Sequence, residues 1–498
     1  MEQRKRKISD GAAYSAICGV FKKHRGGLTV ADLVAKTALP LETVRELVNG
    51  VADEYSAHIS VTESGELLYS FPSGFTSRYR GFRAVAGRAL GRIGRALKVL
   101  GAGFFKAWIM LMLVGYFVFF MLIALAALLL SVAASNSSNS NDRRGHSGGG
   151  LFFMSGIFDF IIRMWFYSEL TRSFDRGYGA YYRTERRPKG RPLYKAIFSF
   201  VFGDGDPGAD IEMRERQAVI AYIQANRGVI SLPEFMALTG TKGVEADCMI
   251  NAWCAEYGGM PEATEDGTVV YRFDALLLRA ESGGREAGGL AAPLKTPRRF
   301  SQNTKKMNGW FCVINSVNLF FGAYFFVNAV KSGHLLTEKH FDAVSYLYGF
   351  TYAAFRGFMA DPLPFIMIGL GIVPIVFFTL FGLIPLLRYA LLKKENERIK
   401  LQNLRKRGFA LIWNNPGAVK AGDIRPEVPE CRPKNIDAAR EAVIKDMALY
   451  SLPDLAVNES GETVYSFSEL KRERDALIKY RSGISADNAE LGKIIFNA

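Results

Sequence analysis

Few residues in this 498-residue chain stand at spacings that chemistry can use. Asp204 and Asp206, in Phe198-Ser199-Phe200-Val201-Phe202-Gly203-Asp204-Gly205-Asp206-Pro207, open like a cation loop. An EF-hand would continue Asp-x-Asp-x-Asp-Gly to a closing Glu, because a hard cation needs several clustered oxygens. That continuation is absent. The pair reads as a turn, with Gly and Asp supplying permissive dihedrals and Pro207 opening the next helix. Asp159 and Arg163 stand four apart, on one face of an apolar helix. Charges inside a bilayer are expensive and mark proton or ion relays by default. The other apolar spans carry no charged partner, so a self-satisfied pair that orients its helix is the better reading. Cys18, Cys248, Cys254, Cys312 and Cys431 form no Cys-x-x-Cys pair, which argues against zinc or a disulfide framework and suits a reducing compartment. His24, His58, His146, His334 and His340 do not cluster, and no phosphate loop, nucleophile elbow or His-Glu-x-x-His helix is present. The chain is read as a non-enzyme with no cofactor and no metal.

What repeats is structural. Gly65-Glu66-Leu67-Leu68-Tyr69-Ser70-Phe71, Gly267-Thr268-Val269-Val270-Tyr271-Arg272-Phe273 and Gly461-Glu462-Thr463-Val464-Tyr465-Ser466-Phe467 are three near-copies. They lie too far apart for a solenoid. In the first copy Thr29 can cap a short helix, Pro40 breaks it, and Leu41 to Val51 carries Val44, Leu47 and Val51 on one face. Two alternating runs around Glu63-Ser64-Gly65 then read as a hairpin. The second copy repeats this with helices at Arg216 to Ala225 and Ala246 to Tyr257, and Ser231 as a cap. The third has a helix over Asp437 to Ala448 and a Pro-rich insert, Arg425 to Pro433, expected as a loop. Helices followed by a hairpin are the order of a winged helix. Tyr69, Tyr271 and Tyr465, with Phe71, Phe273 and Phe467 two residues on, are the repeat signature.

Charge argues against a nucleic-acid partner. Residues 27–71 and 228–273 each set two cations against seven carboxylates, net −5, and residues 417–467 net −3. A DNA reader needs a basic footprint. These modules would repel phosphate, and their acidic faces are expected to stay free for basic partner proteins.

The chain as a whole is +15, and the positive charge flanks apolar spans. Ala107 to Ala133, Trp310 to Val330 and Pro362 to Leu387 contain no charged residue, and Leu151 to Leu170 is interrupted only by Asp159, Arg163 and Glu169. About 20 apolar residues cross a bilayer. Basic clusters lie over 78–106, 172–191, 298–306 and 388–407, whereas 135–150 and 331–361 are nearly balanced. The positive-inside rule then places both termini and all three modules in the cytoplasm. The first 25 residues lack the apolar run of a signal peptide. The basic segment 78–106 is expected on anionic lipid. Phe341, Val344, Tyr348, Tyr352 and Phe355 recur at helical spacing, so an interfacial helix is expected in the second outer loop.

The expected fold is an α-helical membrane protein, four transmembrane helices in two hairpins, with three small α+β winged-helix-like cytoplasmic modules. Its divisions are module 1 (1–77), a basic juxtamembrane segment (78–106), hairpin 1 (107–170) and a basic linker (171–213). Module 2 (214–281), a Gly/Pro/basic linker (282–308) and hairpin 2 (309–392) follow. A charged helix (393–407), module 3 (408–478) and a C-terminal tail (479–498) close the chain.

Three stretches resemble an uncharacterised family of multi-pass membrane proteins from bacteria, cyanobacteria and plastids: Arg191 to Pro207, Tyr69 to Pro72, and Gly150 to Phe153. The resemblance runs over roughly residues 28–273. It implies a general role and transfers no catalytic residue. Some plant relatives carry an iron–sulfur-assembly label that the cysteines of this chain do not support.

The functional expectation is a scaffold of the bacterial inner membrane that binds partner proteins. Its rivals are a small transporter or channel using the charged second span and the Pro-kinked fourth, and a membrane-tethered DNA-binding regulator. Reporter fusions at Ser140 and His334 are expected to read outside, and at Gly240 and Ala498 inside. A cytoplasmic reading at Ser140 contradicts the topology.

Overall fold

The computed structural model describes residues 10–24, 26–71, 75, 94, 100–137, 192–205, 208, 210–280, 289–290, 292–332, 345–459, 461–484 and 491–497. Two compact units emerge: residues 1–89, 206–298 and 393–498 form one, and residues 90–205 and 299–392 the other.

The first unit holds the three repeats. Repeat 1 comprises α1 (Asp10–Lys23), α2 (Val30–Thr37), α3 (Leu41–Tyr55), β1 (His58–Thr62) and β2 (Leu67–Ser70). Repeat 2 comprises α4 (Ile211–Ala225), β3 (Val229–Ser231), α5 (Leu232–Thr239), α6 (Gly243–Tyr257), β4 (Met260–Ala263) and β5 (Val269–Arg272). Repeat 3 opens with the end of α7 (Val373–Asn414) and continues with β6 (Val419–Lys420), α8 (Ile436–Ala448), β7 (Asp454–Val457) and β8 (Thr463–Ser466). Two further elements follow, α9 (Ser468–Gly483) and β9 (Ile494–Asn497).

Local chemistry accounts for these boundaries. Thr29 and Asp32 close a capping box at the start of α2, and Ala38 ends the helix in a left-handed conformation. Val44, Val48 and Val51 bury one stripe of α3. Each hairpin turns at a glycine with positive φ: Gly65 at 79°, Gly267 at 78° and Gly461 at 75°. Each of these glycine N–H groups donates to the carbonyl three residues earlier, of Thr62, Thr264 and Asn458. These three-residue turns need a left-handed residue at that position, which only glycine adopts without strain. The register is the same in all three: Tyr69 faces Ile59, Tyr271 faces Pro261 and Tyr465 faces Leu455.

The sheets differ in one respect. Repeats 2 and 3 have the strand orders β3-β5-β4 and β6-β8-β7. In repeat 1 the first strand shrinks to a bridge between Leu28 and Tyr69, and the order is β2-β1-β9. The expected tail 479–498 therefore divides. Its start belongs to α9, and its end supplies a strand to the first repeat, with Val61 opposite Phe496. The expected boundary at 407/408 also disappears, because α7 runs through it and buries Phe409, Ile412 and Trp413 in the core of the repeats. In repeat 3 a single 3₁₀ turn, Ala421–Asp423, stands where α2 and α5 stand in the other copies. The Pro-rich insert follows it, and its three prolines in nine residues leave room for a second 3₁₀ turn, Pro429–Cys431, but for no α-helix.

The second unit contains helices long and apolar enough to cross a membrane. Three such segments are described, Leu100–Leu130, Lys305–Lys331 and Phe365–Asn414, the last continuing into the first unit as α7. The expected span 151–170 lies outside the described residues. Of the helix expected from Phe341, Val344, Tyr348, Tyr352 and Phe355, the part Tyr346–Arg356 is helical, and Phe341 and Val344 lie outside the described residues. Two π-helical stretches, Leu111–Gly115 and Phe365–Ile372, interrupt the spans. A π turn frees backbone carbonyls, and side chains of neighbouring helices fill them. Asn318 Nδ2 donates to Leu113 O at 2.8 Å, and Tyr116 Oη donates to Gly369 O at 2.9 Å. Gly371 lets this helix approach Phe326, where a Cβ would lie 3.0 Å from that side chain. Small residues and side-chain amides are how helices bind one another in lipid.

Gly240 ends α5 at φ +69° with Gln402 O 2.7 Å from the position of a Cβ, whereas Gly461 has the same backbone handedness and open space. Gly461→Ala should cost only the left-handed strain, about 1–2 kcal/mol. Gly240→Ala adds overpacking and should cost about 2–4 kcal/mol in denaturant unfolding of the detergent-solubilised chain. Equal costs would deny the close approach.

Candidate functional site

Of Asp204, Asp206, Asp159 and Arg163, singled out for chemistry, Asp204 is among the described residues. Asp204 accepts Ser199 Oγ at 2.6 Å and the backbone N–H of Gln302 at 2.8 Å, so it pins one turn to the segment before the apolar helix Lys305–Lys331. Arg388 completes this knot by donating to Ser199 O at 3.2 Å and lying 4.1 Å over the Phe300 ring. Gly203, at φ +87°, makes room for that guanidinium. Asp206, Asp159 and Arg163 lie outside the described residues. Among the described residues no three His, Cys, Asp or Glu side chains gather as a metal site would require.

The signature aromatics are structural. Tyr69 and Tyr271 are buried and donate from Oη to Asn49 and Asp247 on α3 and α6. Phe273 and Phe467 are fully buried, and Phe71 packs edge-on against Phe21 at 4.8 Å.

A different set of residues does converge, where one repeat meets the next. The acid at the third position of α2, Asp32, is fully buried. It accepts the N–H of Thr29, and then two groups from the end of repeat 2: Arg279 Nε at 3.2 Å and Ala280 N at 2.9 Å. Thr29 Oγ1 donates to Leu278 O at 2.8 Å beside them. Repeat 2 offers the same socket. Glu234, at the third position of α5, is buried and accepts the N–H of Ser231. Its two oxygens take Nη1 and Nη2 of Arg481 from α9 at 2.9 and 2.7 Å, and Tyr222 Oη donates at 2.7 Å. A two-pronged guanidinium matches a carboxylate in plane and in spacing. Arg227 returns the clamp, donating to Arg481 O and Ile484 O at 2.7 Å from a left-handed backbone. In repeat 3 the equivalent acid, Asp423, accepts Lys420 N but remains exposed.

Further ties run between the same bodies. Tyr257 Oη donates to Ala38 O at 3.1 Å and Gln217 Nε2 to Lys36 O at 2.6 Å, joining repeats 1 and 2. Lys406 on α7 is buried against Glu215 at 2.7 Å and donates to Pro293 O at 2.8 Å. Lys295 and Arg298 bind Asn403 and Asn396 through their backbone N–H groups, so this part of the expected Gly/Pro/basic linker is strapped along α7. Carboxylates that sequence leaves as free acidic faces are thus partly spent inside the unit. Sequence carried one signal for this: the Thr-x-x-Asp and Ser-x-x-Glu boxes mark where the sockets lie. It carried none for the arginines, which sit outside the repeated pattern.

One half-buried acid has no ion pair among the described residues. Glu473 on α9 accepts Tyr450 Oη at 3.0 and 3.1 Å, and burial, helped by the charge of Glu234, pushes its carboxyl up to about 7.

An uncharacterised chloroplastic protein of Arabidopsis thaliana is 25% identical over 326 residues, covering 59% of this chain and 56% of that protein. The chain spans about half the length of this relative. No family model and no solved structure matches.

Glu473 sets a pH dependence. Its folded value of about 7 lies above the ordinary 4.5, so the unfolded chain ionises first. Its contribution is fully present below pH 4.5, falls as pH rises, and is lost above about 7. Melting of the full chain in detergent should show this decline between those values, and Glu473→Gln should flatten it. An unchanged profile in the variant would contradict the assignment.

Proposed function

We propose that the chain is a non-enzymatic, multi-pass membrane scaffold whose three winged-helix-like modules form one cytoplasmic platform for partner proteins. The observation that carries this is the pair of sockets. Each of the first two modules buries a capping carboxylate under an arginine that follows the hairpin of the next module, Asp32 under Arg279 and Glu234 under Arg481. Such an arrangement fixes the relative positions of three binding modules, which is what a platform requires and what a single catalytic pocket does not.

The winged-helix reading rests on the shared order of helices and hairpin and on the common register opposite the three tyrosines. In such modules the third helix meets the partner. Here α3 presents Glu42, Glu46 and Asp53, and α6 presents Glu245 and Asp247, all exposed. That surface favours a basic protein segment over a phosphate backbone.

The docking also supports four crossings. Modules 1 and 2 hydrogen-bond to each other and so belong on one side of the bilayer. One described helix long and apolar enough to cross a membrane, Leu100–Leu130, separates them in sequence, so a second crossing is needed, and residues 151–170 are the candidate. Two described apolar helices separate modules 2 and 3, which again returns the chain to the same side. The basic flanks support the cytoplasmic side for them, within the reading of a bacterial inner-membrane protein whose 78–106 segment lies on anionic lipid. In the described spans the buried amides of Asn315 and Asn318 donate to carbonyls of neighbouring helices, a packing role that gives the transporter reading no support.

Photo-crosslinking side chains placed at Glu46 and Glu245 in living cells test the proposal. Discrete protein adducts are expected from both sites, and lipid adducts alone from Phe320 in the third span. Nucleic-acid adducts at Glu46 or Glu245, or no adduct at either, would overturn it.

A further inference from the structure

The three hairpins present one equivalent edge, and the chain treats it in three ways. Before each turn one residue donates back across the hairpin: Thr62 N to Glu66 O at 3.1 Å, Thr264 N to Thr268 O at 2.8 Å, and Asn458 N to Glu462 O at 3.0 Å. Antiparallel ladders alternate, so the residues one and three positions earlier turn their N–H and C=O groups outward. These are Val61 and Ile59 in β1, Ala263 and Pro261 in β4, and Val457 and Leu455 in β7. In β1 the outward edge is taken by β9. In β4 it is blunted, because Pro261 has no N–H, and Glu262 beside it accepts Tyr480 from α9. Among the described residues β7 has neither protection. It is the terminal strand of its sheet, and Leu455 and Val457 are 68% and 72% exposed, with Leu449 and Leu452 just before them at 77% and 78%. An apolar edge with free outward donors is a template for another strand.

We propose that β7 pairs antiparallel with β7 of a second copy of this chain, across a two-fold axis at Ala456. The strand is self-complementary in that register. Leu455 falls opposite Val457 of the partner subunit, and Asp454 opposite Asn458 of the partner subunit, so apolar meets apolar and no like charges face each other. Both members of the Leu455–Val457 pair have outward backbone groups, as hydrogen-bonded partners must. An axis at Val457 would instead set Leu455 against Glu459 of the partner subunit, and one at Leu455 would set Pro453, which has no N–H, against Val457 of the partner subunit. The joined sheet runs β6-β8-β7-β7-β8-β6. A two-fold contact closes on itself and consumes the edge in both copies.

The test uses the full chain in membranes and in mild detergent. Ala456→Cys, in a background with the exposed Cys248 and Cys312 changed to Ser, should give a disulfide-linked dimer on mild oxidation. Facing residues of a non-hydrogen-bonded pair lie about 4.5 Å apart at Cα, within disulfide reach. Light scattering on the wild-type chain should give the mass of two copies, and Leu455→Lys with Val457→Lys the mass of one at an unchanged melting temperature. If the lysine variant fails to fold, the wild-type mass and the cross-link decide. A monomeric wild type with no Ala456→Cys dimer overturns the proposal. So does quenching of a Leu455→Trp side chain by brominated lipid, which would assign the patch to the bilayer surface.

Discussion

A carboxylate buried at the first turn of a helix constrains everything around it. The helix N-terminus welcomes its charge, and the capping N–H groups satisfy part of it, but burial by a neighbouring body leaves the remaining lone pairs unsolvated. A cation must then arrive with the body that does the burying. Asp32 and Glu234 meet this condition in the same way, through Arg279 and Arg481. Removing either partner of such a pair strands a buried charge, which costs about 3–5 kcal/mol. The modules are therefore folded against one another, and the exposed Asp423 marks where the series stops.

The apolar helices obey a different rule, since lipid offers them no hydrophobic drive to associate. Their contacts use what remains: glycine grooves, an amide at Asn318 and a hydroxyl at Tyr116, each aimed at a carbonyl that a π turn has released. The Phe198 to Gly205 stretch, whose Asp204 reads with Asp206 as the start of a cation loop, works in the same economy of polar groups. Asp204 holds a serine hydroxyl and a backbone N–H, while Arg388 satisfies the carbonyls nearby.

Local patterns in the chain were legible wherever they were written in neighbouring residues. The hairpins, their glycine turns, the caps at Thr29 and Ser231 and three of the apolar spans could be read directly, because each depends on spacing within about ten residues. Interactions between distant segments could not. Nothing in Ile494-Ile495-Phe496-Asn497 says that it joins β1, more than 400 residues earlier, and nothing in Arg279 or Arg481 distinguishes it from the many other arginines. The boundary expected at residue 407 failed for a related reason. Charge density falls there, but α7 continues because its apolar stripe resumes at Phe409, Ile412 and Trp413 to fill a core built by residues that come later.

The central claim is that the capping acid of one module and the arginine of the next act as a single unit, and a double-mutant cycle measures that most directly. Stability would be read by denaturant unfolding of the full chain in detergent for Glu234→Ala, Arg481→Ala and the pair together. The account predicts that each single change costs about 3–5 kcal/mol and the double change little more than one of them, a coupling of about 2–3 kcal/mol. Costs that simply add, within about 0.5 kcal/mol, would contradict it.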